Sequence, residues 1–299
     1  RFPVAMRNVV DLPSIFAIRG AVSRWRPTIV QSWMGRATRL TRLPKRKGVV
    51  HLARLGGFYK LSGYRHADGW IANTRAIRDY LVESGFPRER VHYIPNFVTS
   101  PAPADPVEVA TLRRQTGIPD GVPVILALGR LVPKKGFQDL LAAFARLRGP
   151  GREAALIVLG AGPLEEELRG MVVREGAVGR VFLPGWQDRL APWFSMADLF
   201  VCPSRHEPLG NVILEAWSHR LPVISTATHG AGELISPGEN GVVVPVEDPV
   251  ALGRAIERLL SAPAERQELA AAGHGFLLEH FSPARVVGDY EQLYRRLIG

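Results

Sequence analysis

In the second half of the chain, apolar residues come in short unbroken runs separated by amphipathic stretches. The runs "VPVILALG", "AALIVLGAG", "RVFLPG", "LFVCPS" and "PVISTA" lack polar alternation, which predicts strands covered on both faces. Between them, "GFQDLLAAFARLR", "PLEEELRGMVVREG", "APWFSMA" and "GNVILEAWSHR" repeat apolar positions at helical spacing. Strands and helices in alternation predict an α/β domain built on a doubly wound parallel sheet. The first hundred residues carry the same alternation more loosely. Ile15, Ile18 and Val22 have helical spacing, and "RPTIVQSW", "KGVVHLARL", "GWIANT" and "RVHYIPN" read as strands. "TRAIRDYLVESG" reads as a helix with Ile77 and Leu81 on one face and Gly85 as its stop. The prolines of "TSPAPADP", residues 99–106, mark a linker, so one domain is expected over 1–104 and a second over 105–280. A last helix is expected over 281–299, with apolar residues at 286, 287, 290, 293, 294 and 297.

Composition narrows the picture. With 46% hydrophobic residues, 299 residues are enough for two medium cores, and the 30 glycines and 24 prolines are spread as punctuation. There is no repeat at a solenoid period and no low-complexity tract. A single cysteine, Cys202, excludes a disulfide framework and fits a reducing cytoplasm. The longest apolar runs fall short of the roughly 18 residues a bilayer span requires, and no charged-then-apolar leader opens the sequence. The expected location is cytoplasmic, with peripheral attachment to the inner face of the cytoplasmic membrane as the alternative. The net charge of +10 is uneven, because residues 1–100 hold 18 Lys/Arg against 5 Asp/Glu. The excess is densest in "RWRPTIVQSWMGRATRLTRLPKRK", where tryptophans alternate with cations. Such a face attracts anionic lipid head groups, although ordinary solvated surface accounts for it equally. No nucleic-acid recognition motif accompanies the charge, so a nucleic acid is not an expected partner.

The chemistry gathers at predicted strand ends, which face the ligand crevice of an open parallel sheet. After "VILALG" come Gly129, Arg130 and Lys135: a planar donor fork and a point charge, both suited to a diphosphate. After "LIVL" comes "GAGP", where Gly160 and Gly162 permit close backbone approach. A full dinucleotide fingerprint would need a third glycine where Glu165 stands, so a plain NAD site is excluded. After "LFVCPS" comes Glu207 in a loop, then a helix beginning near Leu209, Gly210, Asn211 and Val212, whose terminal amides favour an anion, with Glu215 in its second turn. Each residue has a plain alternative: a basic turn, a tight turn, a capping acid, a solvated helix position. Their coincidence at three strand ends favours a site for a nucleotide-linked group.

The segments "GRLVPKKG", "LGAGP", "SRHEPLGNVILEAWSHRLPVIS" and "HGAGELISPGENGVVVPVEDPVALGRAI" resemble the donor-binding half of the retaining GT-B glycosyltransferases of glycosyltransferase family 4, the glycosyl transferases group 1. The resemblance runs nearly unbroken from about residue 120 onward and more loosely over 28–98. It implies two Rossmann-like doubly wound domains facing across a cleft, a last helix that crosses back to the first, and sugar transfer from a UDP- or GDP-sugar with retention at the anomeric carbon. Arg130 and Lys135 match residues that hold the diphosphate, together with Gly129, Gly162 and the amides around Leu209, Gly210, Asn211 and Val212. Glu207 matches the glutamate on the donor sugar and Glu215 the one on the ribose; Gln187 matches the segment beside the base. No D-x-D triplet occurs, so no catalytic metal or other cofactor is expected. The enzyme expected is of hexosyltransferase type, and the basic, tryptophan-containing N-terminal face fits a saccharide or lipid-linked acceptor of cell-envelope or lipopolysaccharide synthesis. Departures are Phe97 and Thr99 in "IPNFVT", and Arg54 where the family places a histidine, with His51 three positions away. The family's opening strand and glycine-rich loop have no counterpart, which leads to the expectation of an N-terminally truncated, incomplete first domain. The competing readings are a nucleotide- or phosphate-binding GT-B module without transferase activity, and a related GT-B enzyme such as a sugar-nucleotide epimerase or a phosphorylase. No pyridoxal-lysine motif supports the phosphorylase.

Overall fold

The computed structural model describes residues 3–8, 10–44, 48–102 and 104–299, which fall into two units: Arg1–Asn96 with Ala284–Gly299, and Phe97–Pro283. Lys45, Arg46 and Lys47 of the basic stretch and Pro103 of the proline-rich stretch lie outside the described residues.

In the first unit, α1 (Leu12–Trp25) is capped by Asp11, whose side chain accepts from the Ser14 amide. It leads to β1 (Ile29–Trp33), α2 (Met34–Leu40), β2 (Val50–Leu55), β3 (Gly69–Ala72), α3 (Arg75–Glu83) and β4 (Val91–Tyr93). The four strands are parallel in the order β1-β2-β3-β4. Thr74 caps α3 by accepting from the Ile77 amide, and Ile77 and Leu81 are fully buried on its inner face, as the period of the helix requires.

The second unit runs α4 (Pro106–Thr116), β5 (Val124–Leu128), α5 (Phe137–Phe144), β6 (Ala155–Leu159), α6 (Glu165–Arg174), β7 (Val181–Gly185), α7 (Ala191–Met196), β8 (Leu199–Cys202), α8 (Asn211–Ser218), β9 (Val223–Thr226), α9 (His229–Leu234), β10 (Val242–Val244), α10 (Pro249–Ser261) and α11 (Pro263–His280). Its six parallel strands lie in the order β10-β9-β8-β5-β6-β7. Successive side chains of β5 alternate between two cores. Ile125 and Ala127 join α5, α6 and α10, whereas Val124 and Leu126 join α7, α8 and α9. A strand buried on both faces has no polar position to spare, which is why these runs are continuous in sequence.

The winding moves outward from β5 to β7, then returns to β8 on the other side of β5 and continues to β10. Strand order therefore reverses between β5 and β8. Loops leaving these two strands diverge, and the gap outside their carboxyl ends is the place where open α/β sheets bind ligands.

The chain closes with α12 (Pro283–Ile298), which belongs to the first unit. Its Val286 and Leu293 are buried against Leu52, Ile71 and Ile94, and Tyr294 donates from its hydroxyl to Gln31 Oε1 at 2.7 Å. Val287, expected on the same face, is 45% exposed.

Candidate active site

At the carboxyl ends of β5, β6, β7 and β8 the second unit holds a cavity of about 480 Å³, within the range of small-molecule sites. Gly129, Arg130, Lys135, Gln187, Glu207 and Glu215 all line it. With Gly160, seven of the residues singled out in sequence thus meet around one hollow, on both sides of the strand-order reversal.

Local folding explains their aim. Beyond β5 the chain turns through Pro133–Lys135 in a short 3₁₀ turn and enters α5 through Gly136 at φ +66°. A Cβ at Gly136 would overlap the Pro203 carbonyl oxygen, so only glycine lets the loop after β8 lie against this turn. Arg205 and His206 then donate their amides to the Lys134 carbonyl at 2.9 and 3.2 Å. Zipped together in this way, the loops bring Lys135 Nζ into an ion pair with Glu207 Oε2, with the two side chains only 15% and 16% exposed. The Glu207 loop is held from beneath as well: Thr226 donates to the Ser204 and Cys202 carbonyls, and Gly230 donates its amide to the Glu207 carbonyl at 2.7 Å.

Glu215 projects from α8 into the same cavity. Burial raises its carboxyl pKa above the usual carboxylate range, while the nearby Lys135 charge opposes the shift. The Cys202 thiol, wholly buried at the end of β8, is pushed up by burial and by the Glu207 charge. It is inert structural packing rather than a nucleophile. Arg130 is exposed at the rim and has no ion pair among the described residues. With Lys134 and Asp188 also in its lining, the hollow presents a guanidinium, two ammoniums and three carboxylates, which can hold a diphosphate and hydroxyl groups together.

The remaining residues singled out in sequence stand elsewhere. Leu209 is 3% exposed in the core, Gly210 takes φ +83° at the start of α8, Asn211 is exposed and Val212 packs against the core, and none of them lines the cavity. Gly162 abuts the Leu131 backbone, and Gly160, which does line the cavity, lies so close to the Gly129 carbonyl that neither could carry a Cβ. These glycines join the loops after β5 and β6. Sequence reading passed over Trp186, 70% exposed at the cavity edge with its indole N–H donating to Asp188 Oδ1 at 3.0 Å. Its signal was its position at the end of β7, beside Gln187.

In the first unit His51 is 2% exposed, with Nε2 2.9 Å from Ser32 Oγ and its ring 5.5 Å from that of His66. It is a core histidine, held near a pKa of about 4 by burial first and by the His66 charge second. Arg54, 5% exposed, donates to the Tyr290 hydroxyl at 2.8 Å and to Asn96, and stacks over the Trp33 ring at 4.4 Å. Among the described residues no group of three His, Cys, Asp or Glu side chains is placed to hold a metal ion, and no helix is long and apolar enough to cross a membrane.

Known proteins resemble this chain in sequence and in fold. Residues 108–275 match the family model of the glycosyl transferases group 1, and residues 1–100 match that of Glycosyltransferase Family 4. The chain is 35% identical over 277 residues to the lipopolysaccharide core biosynthesis glycosyltransferase LpsE of Rhizobium meliloti, covering 92% of this chain and 78% of that protein. It is 31% identical over 271 residues to LpsD of the same organism, covering 90% and 76%. Among solved structures, a glycosyltransferase from Rickettsia africae superposes with a TM-score of 0.86 at 17% identity over 97% of this chain and 83% of that one. Anabaena HepE, solved with UDP and glucose, gives 0.80 at 21% identity over 97% and 84%. The two parallel-sheet α/β units are those of the GT-B fold. By its sequence over both units, and by the strand order that creates the cavity, the chain belongs to the glycosyl transferases group 1 family.

Proposed function

We propose that the protein transfers a hexose from a nucleoside-diphosphate sugar, UDP-linked in the first instance, to a saccharide acceptor of the lipopolysaccharide core, with retention of anomeric configuration and without a catalytic metal. The observation that carries this reading is the convergence of Arg130, Lys135, Glu207 and Glu215 on one cavity at the strand-order reversal. LpsE and LpsD, both lipopolysaccharide core glycosyltransferases, support the acceptor class, and HepE, solved with UDP and glucose, supports the donor base.

The chemistry follows from the residues. As the bond from the anomeric carbon to the diphosphate breaks, negative charge grows on the leaving oxygens; Lys135, little exposed, stabilises it where screening is weak, and Arg130 adds its guanidinium from the rim. Glu207 accepts hydrogen bonds from the sugar hydroxyls and Glu215 from the ribose, so the glycosyl group stays fixed while the bond breaks. No side chain is assigned as a nucleophile beneath the sugar. The acceptor hydroxyl attacks from the face the diphosphate leaves, giving retention. The protein acts at the cytoplasmic face of the membrane, where its basic first hundred residues attract anionic lipid.

A thermal-shift panel of UDP- and GDP-sugars identifies the donor, because binding to the folded state raises the unfolding temperature. Transfer assays with that donor should show Lys135→Ala and Glu207→Ala each about 10²-fold or more slower, the scale of a lost transition-state electrostatic contact. Near-normal rates in both variants would refute the assignment. Nucleotide-sugar binding without product from any saccharide acceptor would mark a binding module instead.

A further inference from the structure

The loop that carries Glu207 is fastened by a residue outside the cavity lining. Arg205 grips Asp139, in the first turn of α5, with two parallel bonds: Nε to Oδ2 at 2.8 Å and Nη2 to Oδ1 at 2.9 Å. Its Nη1 also reaches Glu247 Oε1 at 3.3 Å. Asp139 follows Lys135 closely in the chain, so the fork joins the segment bearing the ammonium to the segment bearing its carboxylate partner. The Asp139 side chain is 14% exposed and that of Arg205 33%, and planar two-point pairing resists rotation better than a point charge can.

We propose that Arg205 is a positioning residue for sugar transfer, its two-point grip on Asp139 setting the spacing between Lys135 and Glu207. This rests on the reading of the cavity as the donor site. A lysine at position 205 keeps the charge but offers a single contact. The backbone bonds from Arg205 and His206 to Lys134 do not depend on the side chain, so the loops still meet, but loosely. Because misplacement of a reacting group by about 1 Å can cost as much as about 10²-fold, the loss falls on kcat rather than on the donor KM.

The test is a set of steady-state and binding measurements on R205K, R205A and D139N, alone and combined with K135A, with thermal unfolding as the check on folding. R205K and D139N should each lower kcat about tenfold or more, keep the donor KM within about threefold, and have clearly less than that effect in the K135A background, since only the misplacement of Glu207 is then left. Full additivity with K135A, or a lowered unfolding temperature with kcat unchanged, overturns the positioning role. Calorimetry with UDP and GDP separates this from the wider reading because it needs no acceptor. A wild-type protein that binds neither nucleotide overturns the donor site and the grip together; one that binds UDP while the variants combine additively overturns the grip alone.

Discussion

Among the described residues Lys135 has one ion-pair partner, Glu207, and a second carboxylate, Glu215, close enough to feel its charge. A diphosphate arriving at Lys135 must compete with Glu207. Glu207→Gln should therefore tighten binding of UDP, which carries no sugar, by roughly fivefold, or about 1 kcal/mol, while slowing sugar transfer. Calorimetry giving unchanged or weaker UDP binding would dismiss the competition. His51 sets a pH dependence of a different kind. Its folded-state pKa of about 4 lies below the ordinary histidine value of 6.5, so the unfolded chain binds the proton more readily. Stability should be full above about 6.5 and fall as the pH drops towards about 4, by about 3 kcal/mol at most. Urea titrations across that interval should show the slope, and His51→Gln should reduce it, leaving the share of His219, whose pKa burial also lowers to about 4.

At the scale of elements, the strands were the most legible part of the sequence. Each of β5, β6 and β8 is an apolar run because both of its faces are covered, whereas β9 ends in Ser225 and Thr226, buried with their hydroxyls bonded to backbone carbonyls. By contrast α4 was obscured: it begins at Pro106 inside the proline-rich stretch and buries none of its residues, so it leaves no apolar stripe to read. The glycines of "GAGP" were visible as sites of close approach, but what approaches is the neighbouring loop. The grip of Arg205 on Asp139 was hidden for a related reason. The partners lie 66 positions apart and meet only because β8 pairs with β5, a fact of strand order that no local pattern encodes. Gly136 offers the sharpest test at this scale. Gly136→Ala combines a left-handed φ with an overlap on Pro203, and should cost about 1–3 kcal/mol of stability; urea denaturation, read beside kcat, should show both falling together.

At the scale of the whole molecule, the first unit is completed by α12, from the far end of the chain. Leu293, 1% exposed, fills the face made by Leu52 and Ile71. Leu293→Ala should destabilise that unit by about 2–5 kcal/mol. Hydrogen exchange should then quicken in β2 and β3 and stay unchanged in β5 and β8, where Leu293 has no part in the core.

The same arrangement has a consequence for how the protein is made. Leu52, Ile71 and Ile94 leave the ribosome well before Val286 and Leu293, which cover them, and the entire second unit is synthesised in between. At ordinary elongation rates that interval lasts roughly 10 to 40 s. Throughout it the nascent amino-terminal sheet has a bare oily face, a natural landing place for a holding chaperone, while the later-made unit can already close around its own core.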